Sequence, residues 1–99
     1  MRAVFSKEFN LELLQKEEQY KQISPRLGSA FHARVVSQVQ EIVKWQGGDH
    51  VGPHGLPCRR TKPFPFYIYY RVEAETIHFL ALVHERRHPD FLKKQRETE

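Results

Sequence analysis

Between Thr76 and His84 every residue but the first, His78 and the last is apolar, and the apolar side chains fall on both parities of the stretch. Ile77, Phe79, Ala81 and Val83 share one parity, and Leu80 and Leu82 the other. Successive side chains of a strand point to opposite faces, so a strand apolar on both must be covered on both. This one requirement demands a sheet with neighbours on either side of the segment. The preceding residues supply one neighbour. Phe66, Ile68, Tyr70 and Val72 alternate with Tyr67, Tyr69 and Arg71, which is the period-two pattern of a strand with two distinct faces. Glu73 to Glu75 leave room only for a tight polar connection between the two.

Upstream, Met1 to Phe5 reads as a short opening strand, and Ser6 as the cap of a helix running to about Lys21. Leu11 and Leu14, flanked by Leu13 and Tyr20, give that helix a narrow apolar stripe. The next helix is better marked. Ser24 stands at its N-cap and Pro25 at its first turn, and Leu27, Phe31, Val35, Val39, Ile42 and Val43 follow at three- and four-residue steps before Gly47 and Gly48 end it. At ~1.5 Å per residue it is ~30 Å long, enough to cross a small domain. The helices form a hairpin joined near Ile23 to Pro25. Gly47 to Pro57 holds four glycines and two prolines and reads as an irregular loop. A strand over Cys58 to Lys62 follows, limited by Pro63 and Pro65. After Pro89 a short charged segment, Asp90 to Arg96, is expected to be helical. The order is β-α-α-β-β-β-α, an α+β arrangement in one domain spanning residues 1–99. A chain of this length holds one core.

Charge becomes informative once it is placed along the chain. The net charge is +4, and residues 56–71 alone carry four basic side chains and no acidic one. They are Arg59, Arg60, Lys62 and Arg71. Such a block attracts anions, whether phosphodiester or carboxylate. An equally available reading is a solvated face, with Arg59 and Arg60 as edge charges that block sheet-to-sheet association. Cys58 is the only cysteine and forms no internal disulfide, so a cytoplasmic home is expected. The apolar run Ala3 to Phe5 is too brief for a signal segment, and no stretch reaches the length of a membrane span, so no membrane role is expected.

The closing half of the chain, RRTKPFPFYIYYRV and then IHFLALVHERRHPDF, resembles the RelE/ParE toxin superfamily, in particular its plasmid-stabilisation, ParE-like branch. The likeness rests on Arg59 and Arg60, Phe64 and Pro65, Tyr70 and Val72, and on His84, Arg87 and Pro89, within about residues 57–92. The resemblance implies a small antiparallel sheet with a helical hairpin packed on one face. It further implies the toxin of a bacterial type II toxin–antitoxin system, which inhibits growth and is silenced by a cognate antitoxin protein. The target of ParE-like members is DNA gyrase. RelE-like members instead cut messenger RNA on the ribosome.

Metal-free RNA cleavage needs a base for the 2′-hydroxyl, cations for the phosphorane and an acid for the leaving oxygen. Arg60, Arg86 and Arg87 are candidates for the phosphate clamp, and His84, whose ordinary pKa lies near neutrality, for the acid or base. The alternative for His84 is a histidine closing a strand and bonding a backbone carbonyl. The ribonuclease branch, by resemblance, places an arginine where this chain has Tyr67 and a tyrosine where it has Phe91. With no assured catalytic set, the expectation is a non-catalytic inhibitor of gyrase. A metal-independent endoribonuclease and a non-toxic antitoxin-binding module are the alternatives. The candidate contact residues for target or antitoxin are Arg59, Arg60, Lys62, Arg71, His84, Arg86 and Arg87. His50, His54 and Cys58 recur at four-residue steps, as do His84 and His88, but neither set matches a zinc pattern, so neither metal nor cofactor is expected. Trp45, Tyr67, Tyr69 and Tyr70 are read as core or sheet-face residues before base-stacking ones.

Overall fold

The computed structural model describes residues 1–45, 48–52 and 55–87. Strand β1 spans Arg2–Phe5, helix α1 Lys7–Ile23, helix α2 Pro25–Lys44, β2 His50–Val51, β3 Pro57–Arg60, β4 Phe66–Glu73 and β5 Thr76–His84. They build a five-stranded sheet in the order β1-β5-β4-β3-β2. The apolar strand β5 thus has β1 on one side and β4 on the other, as its two apolar faces and length require. The pairings from β5 through β2 are antiparallel, but β1 lies parallel to β5, with Arg2 opposite Thr76 and Phe5 opposite Phe79. The sheet is therefore mixed at one edge. A parallel neighbour needs a long connection, and the helical hairpin together with β2 to β4 supplies it.

Both helices start where the cap residues stand. Ser6 Oγ accepts the Phe9 amide at 3.0 Å, and Ser24 Oγ accepts the Leu27 amide at 3.2 Å. Helix α2 buries Gly28, Phe31, Val35, Gln38 and Ile42, one stripe at steps of three and four. Gly28 lets α1 come close, because a Cβ there would stand 3.1 Å from Lys21 Cα and 3.2 Å from the Glu17 carbonyl. The apolar stripe of α1 differs from the expected one. Phe9, Leu13 and Tyr20 face the core, while Leu11 and Leu14 are 47% and 63% exposed. The inward row runs through Phe9, Glu12, Leu13, Lys16, Glu17 and Tyr20, so its charged members are half-buried beside the apolar ones and hide the pattern.

The main core lies between the hairpin and one sheet face. Phe9, Phe31, Val35 and Ile42 meet Phe64, Phe66, Ile68, Tyr70, Ile77, Phe79 and Leu82. Phe31 packs edge-on against Phe64 with centroids 5.2 Å apart, and Tyr20 does the same at 5.1 Å. The opposite sheet face buries Leu56, Cys58, Tyr69, Leu80, Ala81 and Val83.

One irregularity decides which way the end of β5 faces. The register moves from Tyr69 opposite Ala81 to Tyr70 opposite Phe79, so Leu80 is an extra residue in β5. Ser6 Oγ donates to the Leu80 carbonyl at 2.7 Å, tying this bulge to the start of α1. Before the bulge the helix side takes Ile77 and Phe79, and after it Leu82 and His84. Without the bulge, strict alternation would send His84 to the other face.

Candidate interaction surface

The four cations of the 56–71 block are dispersed by the fold. Arg59, next to the buried Cys58, points to the helix side of β3 and is only 20% exposed. Its Nε donates to Asp49 Oδ1 at 2.8 Å and one terminal nitrogen to Asp49 Oδ2 at 3.2 Å. A second terminal nitrogen reaches Glu41 of α2 at 3.4 Å. The Tyr70 hydroxyl donates to the same Asp49 carboxylate. Burial, and then this bond, push the Tyr70 phenol well above its ordinary range. Asp49 is itself 11% exposed. Arg59 therefore has the partner that the basic run alone does not disclose, and it joins α2, β3 and β4. The signal for Asp49 lay in the loop. His50 pairs with Cys58 and Val51 with Pro57, an antiparallel pair where an irregular loop was expected, and one more register step sets Asp49 beside Arg59.

Arg60 takes the opposite face, on the parity of Cys58 and opposite Tyr67. It pairs with Glu85 at 2.8 Å, the two being 39% and 32% exposed. Arg71 sits toward the far end of β4, opposite His78, with Glu73 at 3.6 Å. It lies four residue steps along the strand from Tyr67, about 13 Å at ~3.3 Å per residue. The Lys62 carbonyl accepts the Arg34 guanidinium at 2.6 Å, and its ammonium has no acidic partner among the described residues.

At the end of β5 a different group assembles. His84 packs edge-on against Phe66 at 5.3 Å, and its Nδ1 accepts the Arg86 backbone amide at 3.1 Å. The ring is thus bonded to backbone as an acceptor from an amide, not as the expected donor to a carbonyl. The turn is completed by the Glu85 amide donating to the Pro65 carbonyl and the Arg87 amide to the His84 carbonyl, each at 2.9 Å. Arg87 reaches Glu12 of α1 at 3.3 Å, and Lys16 reaches the same carboxylate at 3.7 Å. The Arg86 guanidinium has no acidic partner among the described residues. A cavity of about 220 Å³ lies between α1 and this strand end, lined by Lys16, Gln19, Tyr20, Ile23, Phe66 and His84.

The sheet thus stands between Arg60 and His84. Arg86 and Arg87 follow His84 in the turn, with Arg87 held toward α1. Phe91, His54 and His88 lie outside the described residues. Among the described residues no group of three histidine, cysteine or acidic side chains could hold a metal. His50 and Cys58 do stand opposite each other. Burial raises the Cys58 thiol above its ordinary value, and burial followed by Cys58 itself raises the Tyr69 phenol to about 12. Tyr67, Tyr69 and Tyr70 are sheet-face and core residues, as expected, while Trp45 is exposed at the end of α2 beneath the Lys44 ammonium. No described helix is long and apolar enough to cross a membrane.

No protein-family model matches the chain, and no curated protein matches it in sequence. Among solved structures, the fold is similar to a chain of the chromosomal ParDE TA system from P. aeruginosa, with a TM-score of 0.74 and 20% identity over 85% of this chain and 95% of that one. The two chains therefore share a fold, here a short parallel edge strand, a helical hairpin and antiparallel strands.

Proposed function

We propose that the chain is the toxin of a type II toxin–antitoxin system, that it acts as a non-catalytic inhibitor of DNA gyrase in the ParE manner, and that a cognate antitoxin silences it. Its fold supports the first part, being like that of a chain from a ParDE TA system. One observation carries the second. His84 faces α1, whereas Arg60 lies on the other face of the sheet and is held by Glu85. A ribonuclease built from His84, Arg60, Arg86 and Arg87 needs the proton-transfer group and the cations within reach of one phosphate. Losing either contribution typically lowers the rate by ~10²–10⁴. An inhibitor that works by occupying a surface has no such demand. Arg60, Lys62 and Arg86, exposed at or beyond the β3 and β5 ends, then provide charge complementarity to target or antitoxin, which gains on-rate and specificity more than raw affinity. Arg59 and Arg71 contribute less, since the first is enclosed by Asp49 and Glu41.

Titration of the purified protein into gyrase supercoiling and into cleavage of ribosome-bound message tests the reading. Supercoiling is expected to fall and message to remain intact. Message cleavage that disappears in His84→Ala, with gyrase unaffected, would establish the RelE-like alternative. A protein that binds an antitoxin and affects neither target is the non-toxic module.

A further inference from the structure

We propose that the cavity between α1 and the end of β5 seats one carboxylate of a protein partner, an aspartate or glutamate side chain; that the partner is the antitoxin rests on the reading above. Size sets the class of occupant. At about 220 Å³ the space is smaller than the ~300–1,000 Å³ of pockets that enclose whole small-molecule ligands, and several times the ~30 Å³ of one water. It suits one side chain.

The lining sets the chemistry. His84 Nδ1 accepts the Arg86 amide, so the neutral ring carries its proton on Nε2 and has a donor left for the cavity. The Tyr20 hydroxyl has no hydrogen-bond partner among the described residues, although its ring is fixed against Phe31 and Phe64. Lys16 Nζ and the Gln19 amide complete a wall rich in donors, and Ile23 and Phe66 offer apolar surface to an aliphatic stem. Among the described residues Lys16 is held only by the rim contacts at 3.4 Å to Gln19 Oε1 and 3.7 Å to Glu12. Glu12, outside the lining, stands 3.7 Å from Lys16 and 3.3 Å from Arg87. One ammonium and neutral donors match a singly charged carboxylate. A phosphate dianion would call for guanidinium groups, and among the described residues none lines the space.

The test uses the full chain with glutarate as probe, following the His84 and Tyr20 ring resonances by NMR. Glutaramide is the uncharged control and inorganic phosphate the competing anion. We expect saturable shifts at both rings with a dissociation constant on the order of millimolar. Tyr20→Phe keeps the ring contacts and removes the donor, and is expected to weaken binding about tenfold, as is Lys16→Met. Lys44→Met, at the far end of α2, is expected to change nothing. Absence of saturation up to about 100 mM, equal shifts with glutaramide, or tighter binding of phosphate would overturn the proposal. None of these outcomes depends on toxicity, so the site and the toxin reading fail separately.

Discussion

Arg59 and Arg60 are neighbours in the chain with the same charge, yet the fold gives them opposite surroundings. Arg59 meets a fixed carboxylate through two hydrogen bonds, and that carboxylate also takes the Tyr70 hydroxyl. Arg60 meets Glu85 at the rim, where both side chains keep about a third of their surface in water. A charge-assisted pair held in a mostly dry site orders the structure around it, and breaking it leaves an uncompensated charge. An exposed pair gains little and can exchange its partner for another. The alternation of a strand is what divides the two roles. One residue is turned inward to join α2, β3 and β4; the next is left available for contact with another molecule.

The sharpest way to break this contrast is to remove each acid in turn. Asp49→Ala strips Arg59 of both its strong bonds and Tyr70 of its acceptor, and should cost about 2–4 kcal/mol. Glu85→Ala should cost less than about 0.5 kcal/mol. Urea unfolding of the two variants measures the difference, and equal losses would dissolve the distinction between the two arginines.

A smaller effect is expected in alkali. The folded-state pKa values of Tyr69 and Tyr70 lie above the unfolded value near 10, because both are buried and both have hydrogen-bonded neighbours. Below pH ~10 both states keep these protons and the stability they represent is intact. Above it the unfolded chain releases them first, so stability falls as pH rises toward the folded values, by up to about 1.4 kcal/mol per pH unit for each tyrosine. Tyr70→Phe should remove one share of that slope. An unchanged slope in that variant would mean that the Tyr70 hydroxyl is not enclosed with Asp49.

Much of the frame was legible before any coordinates. Ser24 and Pro25 mark the start of α2, the alternation of Phe66 to Val72 marks β4, and the two-sided apolar run of β5 demands a central strand. Each is a local signal whose physical cause lies within a few residues. What escaped is non-local. The bulge at Leu80 is written in no single residue, since it arises from the register of β5 on β4 and from the Ser6 bond across the sheet. It nevertheless decides that His84 faces α1. The parallel pairing of β1 depends likewise on how the hairpin returns the chain. In α1 the charged residues Glu12, Lys16 and Glu17 share the inward row, so the exposed Leu11 and Leu14 gave the clearer but outward stripe. Asp49 was hidden by composition. A loop rich in glycine and proline suggests irregular structure, yet its short β2 segment brings the acid back to Arg59. Basic residues were easy to count, and their partners came from elements distant in sequence.

The central proposal is that this chain, with its exposed cations divided between two faces of the sheet, acts as a toxin. Growth of a bacterial culture after induced expression of the chain tests it most directly, with soluble folded protein verified in the same cells. The account predicts arrest on induction and recovery when the product of the adjacent small open reading frame is coexpressed. Undiminished growth in cells that hold abundant folded protein would contradict it.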